Sequence, residues 1–151
     1  MSYLNSVTKA IPKAPVITIV GFPGVGKTTL AAMFPNPIFI QAETSSTVFE
    51  TWDDDVQPAF FPELPNPNAS KKVRTSQVVL DQLRELITAE HEFKTVVFDS
   101  VTSLNTLIET EVVEFDPMGA SNIGDAAGGF HKGYLVSAAI QAWKKNSPRT
   151  R

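Results

Sequence analysis

Glycines, a lysine and a threonine occur in one short run whose spacing suits phosphate binding: Gly21-Phe22-Pro23-Gly24-Val25-Gly26-Lys27-Thr28. Glycine accepts backbone angles and close approaches that a side chain would block, so successive N–H groups can turn inward around an anion. The ammonium of Lys27 would reach the β- and γ-phosphates of a nucleotide, and the hydroxyl of Thr28 would join the shell of a Mg²⁺ ion. The predicted ligand is ATP with Mg²⁺, bound by Gly21, Phe22, Pro23, Gly24, Val25, Gly26, Lys27, Thr28 and Thr29.

The alternative for this run is a glycine-rich turn that carries Lys-Thr by chance. From average glycine usage, a chance match in a chain of this length is expected less than about one time in a hundred. The run also lies between a predicted strand and a predicted helix, which is the context that the phosphate-binding mechanism needs. The sequence therefore favours nucleotide binding.

Two carboxylates follow apolar runs that read as strands. Asp99 comes after Thr95-Val96-Val97-Phe98, and Glu43 comes after Ile38-Phe39-Ile40-Gln41-Ala42. In open α/β sheets the ligand lies at the carboxyl ends of the strands, so we expect Asp99 to hold Mg²⁺ beside Thr28. The alternative for Asp99 is a turn or helix-capping role.

A base for hydrolysis is not found directly after Asp99, where Ser100 stands. Glu43 is the candidate, because it closes a neighbouring strand at the same edge and can polarise a water aligned on the γ-phosphate. The other reading of Glu43 is a solvated carboxylate at a strand end. The predicted catalytic residues are thus Glu43 and Lys27.

The elements that must position these residues alternate between strand and helix, which predicts an α/β domain with a mainly parallel sheet covered on both faces. A long irregular connection is predicted over 44–74, and a flexible glycine-rich loop over 119–133. The last helix is expected to bury one apolar face, made of Leu135, Ala138, Ala139, Ala142 and Trp143. The predicted strands are 15–20, 38–42 and 95–98; the predicted helices are 27–34, one from a Thr75 or Ser76 cap to about 91, one over 104–115, and the last one, ended by Pro148.

Composition excludes several classes of protein. The chain has 151 residues, no cysteine and a net charge of -3, which argues for one domain, against disulfide or thiolate metal sites and against a wholly basic DNA-wrapping surface. The apolar runs are far shorter than the roughly 18 to 20 residues of a membrane span, and no secretory signal is visible. We expect a soluble, cytoplasmic protein with no membrane partner. Three small basic groups could contact nucleic acid locally or simply be solvated: Lys71, Lys72 and Arg74; His131 and Lys132; Lys144, Lys145, Arg149 and Arg151.

At these residues the chain resembles the RecA and RadA recombinase superfamily, and more closely the phage-encoded RecA-like ATP-binding proteins of single-strand annealing and recombination. The resemblance to the recombinases rests on Ala42-Glu43 after the second strand and on Val97-Phe98-Asp99-Ser100-Val101. The closer resemblance rests on Gly21 to Thr29, on Pro35-Asn36-Pro37, on the helix before Lys94-Thr95-Val96 and on residues 129 to 134. It implies a three-layer RecA-like P-loop fold and ATP hydrolysis coupled to single-stranded DNA. It further implies the cytoplasm of a phage-infected or prophage-bearing bacterium, and DNA contacts from 119–133 through His131, Lys132 and Tyr134. A plain glycine linker is the alternative for that loop.

The resemblance also implies a core that continues past the last helix into another strand, whereas the residues after Trp143 are polar and interrupted by Pro148. We therefore expect an extension over 1–14 and a partial RecA-like core over 15–151, either a truncated product or a sheet completed by a homo-oligomer or another chain. Two rival functions stay open. One is a non-catalytic module that binds nucleotide or a partner, and the other is a small-molecule phosphotransferase, which the scarcity of arginine disfavours.

Overall fold

The computed structural model describes residues 14–68 and 73–146, and for 143–146 the backbone only. It confirms the α/β class, with a three-stranded parallel sheet in the order β2-β1-β3. Within the described residues no helix is both long and apolar enough to cross a bilayer. The elements are α1 (Lys27–Ala32), β1 (Pro37–Gln41), a 3-10 helix (Ser46–Phe49), β2 (Ala59–Phe60), α2 (Thr75–Thr88), β3 (Thr95–Asp99), α3 (Val101–Glu114) and α4 (Lys132–Asn146).

Alternation along β1 divides the core into two layers. Phe39 points to one face of the sheet, where Ala31, Ala32 of α1 and Phe49 of the 3-10 helix bury it. Ile40 points to the opposite face, which is covered by α2 and α3; its buried neighbours are Leu64, Val79, Leu104 and Ile108. Successive strand residues face opposite sides, so helices are needed on both faces.

The strand predicted over 15–20 is wrong. These residues form no regular element and pair with no strand in the described part of the chain, and Val16 is 95% exposed. Ile19 does pack against the Phe39 cluster. A run of β-branched residues favours an extended backbone, but a strand is stabilised only when a neighbour accepts its hydrogen bonds. In the sheet of the described residues β3 is the outermost strand beside β1, and its Val96 is 43% exposed. β3 is therefore an edge strand of that sheet, whereas its apolar sequence predicts a buried one.

The connection predicted as irregular over 44–74 contains two short elements, the 3-10 helix and β2. β2 pairs with β1 through Ile38 opposite Ala59 and Phe39 opposite Phe60. Side-chain amides then fix the following residues, since Gln41 Nε2 donates to the Phe61 carbonyl at 2.9 Å. A two-residue strand has too short a pattern for sequence periodicity to show. Lys71 and Lys72 lie outside the described residues.

Helix α2 begins differently from the prediction. Arg74 is its N-cap residue and makes no capping hydrogen bond with its side chain. Thr75 Oγ1 donates instead to the Pro65 carbonyl at 2.7 Å. Glu111 of α3, only 1% exposed, accepts from Ser76 N at 2.8 Å and from Ser76 Oγ at 2.7 Å. A carboxylate from a neighbouring helix thus satisfies an N–H that has no partner inside α2.

Replacing Glu111 with alanine is expected to lower the free energy of unfolding by about 2 to 4 kcal/mol, because it leaves the Ser76 N–H and hydroxyl without their acceptor and creates a cavity. Urea unfolding of both proteins measures the difference. Glu85→Ala, an exposed change on α2, is the matched control and should stay within about 0.5 kcal/mol. Equal small losses from both variants would contradict the capping role.

The apolar face predicted for the last helix is also wrong. α4 packs on α3 through Ile140, which adjoins the Leu104 and Ile108 cluster, and through Gln141, which donates to Asn105 Oδ1 of α3. Gly133 and Ser137 of α4 are also buried. Leu135 is 70% exposed, and Trp143 has no described side chain. Small residues allow close approach, since a Cβ on Gly133 would collide with the Ile123 carbonyl. Pro148, predicted to end the helix, lies outside the described residues.

Candidate functional site

The phosphate loop, residues 21–28, joins the exposed segment before it to α1. Gly24 has φ 79° and Gly26 has φ 85°, a left-handed conformation that side chains disfavour, so these two glycines allow the loop to turn into the helix. Lys27 Nζ donates to the carbonyl oxygens of Gly21 at 3.0 Å and Phe22 at 2.8 Å. The ammonium therefore lies across the loop that it is predicted to serve.

Thr28 and Asp99 meet at the carboxyl end of the sheet. Thr28 Oγ1 donates to Asp99 Oδ2 at 2.8 Å, although the two residues are 71 positions apart. Asp99 is the last residue of β3, and Thr28 lies in the first turn of α1. The fold therefore brings together the two residues that the sequence predicted as metal ligands.

Glu43 lies at the same edge, two residues after β1. Ala42 N donates to the Asp99 carbonyl at 2.9 Å, which ties the end of β1 to the end of β3. The Glu43 side chain is exposed, and its Oε2 accepts from Ser103 Oγ of α3 at 2.8 Å. Glu43 and Asp99 thus follow neighbouring strand ends at one edge of the sheet, and Lys27 precedes Thr28, which contacts Asp99 there.

Asp116, directly after α3, organises the glycine-rich segment that the sequence predicted as flexible. Its Oδ1 accepts from Ala127 N at 2.9 Å, and its Oδ2 accepts from the N–H groups of Met118 and Ala120 at 3.1 Å each. The Ala127 bond lowers the pKa of Asp116 most; desolvation opposes it, and the bonds from Ala120 and Met118 add to the lowering. Because the folded pKa is lowered, this stabilisation is present above the ordinary carboxyl pKa and is lost as the pH falls through the lowered value.

The predicted basic groups are only partly described. Arg74 forms an ion pair with Glu111 at 3.5 Å and lies over the Phe115 ring at 4.2 Å. His131 and Lys132 are exposed at the start of α4, and the His131 and Tyr134 rings are 5.9 Å apart. The side chains of Lys144 and Lys145, and all of Arg149 and Arg151, lie outside the description. The described residues hold no cluster of three or more His, Asp or Glu able to bind a metal.

Ser100 and Ser103 were not predicted as part of the site. Ser100 is the N-cap of α3, and its Oγ accepts from Ser103 N at 3.2 Å. The spacing Ser-x-x-Ser after a strand is a capping signal, but nothing in the sequence indicated that the second serine reaches Glu43.

Comparison with known families agrees with the geometry. A family model described as an AAA domain matches residues 13–142, and this range includes the phosphate loop, Glu43 and Asp99. Comparisons with curated proteins and with solved structures gave no significant match. The match supports nucleotide binding and a P-loop ATPase in general, while the resemblance to phage RecA-like proteins stays a prediction. From the family match across most of its length, the chain belongs to the AAA-domain family of P-loop ATPases.

Proposed function

We propose that the chain binds ATP with Mg²⁺ at the carboxyl edge of its sheet and hydrolyses the bond between the β- and γ-phosphates. The observation that carries this proposal is the 2.8 Å hydrogen bond between Thr28 and Asp99. It brings a hydroxyl next to the phosphate loop and a carboxylate at a strand end within reach of one ion. No local rule of turn or helix formation requires that contact.

The oxygen pair fits Mg²⁺. Mg²⁺ prefers oxygen ligands at about 2.1 Å in octahedral geometry, so neighbouring ligand oxygens are about 3 Å apart. The two oxygens of Thr28 and Asp99 are 2.8 Å apart. A site with one carboxylate and one hydroxyl leaves positions for phosphate oxygens and waters, as Mg²⁺ nucleotide sites usually do.

Lys27 supplies the positive charge. Two of its three ammonium donors are used by the Gly21 and Phe22 carbonyls. A bound phosphate would compete with these neutral acceptors for the ammonium, and charge-assisted bonds are the stronger ones. Lys27 would then offset the negative charge of the γ-phosphate during transfer.

Glu43 is the proposed base. It would accept a proton from a water whose oxygen attacks the γ-phosphorus while the bond to the departing ADP oxygen breaks. Its support is its place at the sheet edge, with Ala42 hydrogen-bonded to Asp99. The carboxylate is exposed to solvent, so a water can reach it.

The proposed biological setting is DNA recombination or single-strand annealing in the cytoplasm of a phage-infected or prophage-bearing bacterium. Its support is the surface formed by Phe130, His131, Lys132 and Tyr134, all exposed. Phe130 is 93% exposed, and aromatic rings beside a cation suit stacking on single-stranded bases. The overall charge of -3 confines such a contact to a local patch.

The test is ATP binding and turnover at varied Mg²⁺, with and without single-stranded DNA, for the parent and for Asp99→Asn. We expect Asp99→Asn to raise the Mg²⁺ concentration needed for half-maximal turnover by about tenfold or more, since one proposed ligand loses its charge. Asp55→Asn, an exposed change in a turn, is the matched control. An unaltered Mg²⁺ dependence in Asp99→Asn would remove the metal role, and turnover indifferent to DNA would remove the DNA role.

A non-catalytic module is the second candidate, and one observation favours it. The segment before the phosphate loop is largely an exposed coil, and β3 is the outermost strand of the sheet in the described part of the chain. A second copy or another chain that pairs there would complete the sheet, and binding without turnover in the isolated chain would support this reading.

A phosphotransferase gains no support, because the described arginines, Arg74 and Arg84, pair with Glu111 and Asp81.

A further inference from the structure

We propose that Ser103 is a positioning residue that orients Glu43 through a hydrogen-bond chain starting at Ser100. This inference rests on the proposed function, because it assigns the residue that holds the proposed base. Ser103 is not among the residues that the phosphate-loop pattern or the acidic strand ends single out, and Ser100 was noted there only as the residue that follows Asp99.

The single hydrogen on each serine hydroxyl fixes which group donates in each of these hydrogen bonds. Ser103 Oγ is 2.8 Å from Glu43 Oε2 and 2.9 Å from Ser100 Oγ. A serine hydroxyl has one hydrogen, and the ionised carboxylate can only accept. Ser103 therefore donates to Glu43, and Ser100 donates to Ser103. Ser100 Oγ in turn accepts from Ser103 N at 3.2 Å, so both serines are engaged as donors and acceptors.

The hydrogen-bond chain connects a long, exposed side chain to a helix that is anchored in the core. Glu43 is exposed and comes after the end of β1, where a long side chain has many rotamers. Ser103 lies in the first turn of α3, one residue before Leu104, which is 2% exposed in the core. Ser100 directly follows Asp99 and caps the same helix. The base is therefore held relative to the helix that follows the proposed metal ligand.

Only one Glu43 oxygen is used by this contact. Oε2 accepts from Ser103, and Oε1 stays available to accept from a water. Ser103 should thus affect the turnover step, in which the direction of Glu43 matters, and leave ATP binding by the phosphate loop unchanged. A residue that merely stabilises the fold would lower both together with stability.

The experiment compares Ser103→Ala, Ser103→Thr and Thr102→Ala in the full chain by kcat, KM for ATP and urea unfolding. We expect Ser103→Ala to lower kcat by roughly 10- to 100-fold with KM unchanged. Ser103→Thr keeps the hydroxyl and should restore most of the rate. Thr102→Ala, an exposed change in the same turn, is the matched control and should behave as the parent.

A double variant separates this inference from the proposed function. In a Glu43→Gln background, Ser103→Ala should cause no further loss of kcat, because both changes disable one unit. If Glu43→Gln slows turnover while Ser103→Ala does not, the positioning role is overturned and the proposed function stands. If Glu43→Gln turns over as fast as the parent, Glu43 is not the base and the role of Ser103 fails with it. A full additional loss from Ser103→Ala in the double variant also overturns the inference.

Discussion

Lys27→Ala is expected to weaken ATP binding by about 10- to 100-fold, the range set by losing charge-assisted hydrogen bonds to a phosphate, and to reduce turnover below detection. Lys27 is the cation that lies across the loop, with its Nζ bonded to the Gly21 and Phe22 carbonyls. In the variant those two exposed carbonyl oxygens accept hydrogen bonds from water instead, so the protein loses little stability. Titration with a fluorescent ATP analogue measures the affinity.

Lys94→Ala is the control for Lys27→Ala. Lys94 is also exposed and carries the same charge, but it precedes β3 at the amino end of the sheet, away from the phosphate loop. Its removal should leave ATP affinity unchanged. If the two variants bound ATP equally well, nucleotide binding by this loop would be disproved.

Glu43→Gln is expected to lower turnover by about 10²- to 10⁴-fold, the usual contribution of a general base, while ATP binding is retained. Glutamine keeps the shape and can still accept from Ser103, but it cannot take a proton from the attacking water. Single-turnover measurements with saturating protein separate the chemical step from binding.

The control for Glu43→Gln is Glu50→Gln, an exposed change just after the 3-10 helix. It removes the same charge at a position that is not at the carboxyl edge of β1. Parent-like turnover in Glu50→Gln and loss in Glu43→Gln would support the base. Loss of ATP affinity in Glu43→Gln would instead indicate a binding role.

Helix α3 links the features that these variants test. Ser100 caps its start and bonds to Ser103 in its first turn, and Ser103 holds Glu43. Its last turn carries Glu111, which caps α2. Asp116, just past its end, organises the glycine-rich segment. One helix therefore connects the proposed site to the surface proposed to contact DNA.

Local signals predicted much of this fold. β3 ends at Asp99 as predicted, and α3 follows from its apolar spacing and from the Asp116-Pro117 stop. The phosphate loop was recognised from glycine, lysine and threonine at fixed offsets, and the family match agrees. These features depend on residues close in the chain, whose backbone requirements are set by their own types.

Two of the failures, the 15–20 segment and the buried face of α4, share one physical cause. The 15–20 segment has the composition of a strand, but strand formation depends on a partner elsewhere. The buried face of α4 was misjudged because its partners come from other parts of the chain: Asn105 of α3 accepts from Gln141, and Ile123 lies against Gly133. β2 is too short to show a period.

The order and types of residues by themselves determined the phosphate loop, the parallel α/β class and the candidate carboxylates, because each depends on short-range spacing. The sequence predicted Thr28 beside Asp99, and only the tertiary structure decided that the two form a direct hydrogen bond, that Ser103 holds Glu43 and that Glu111 caps α2. Those contacts join residues far apart in the chain, and they arise from how helices pack on the sheet, which spacing along one segment does not specify.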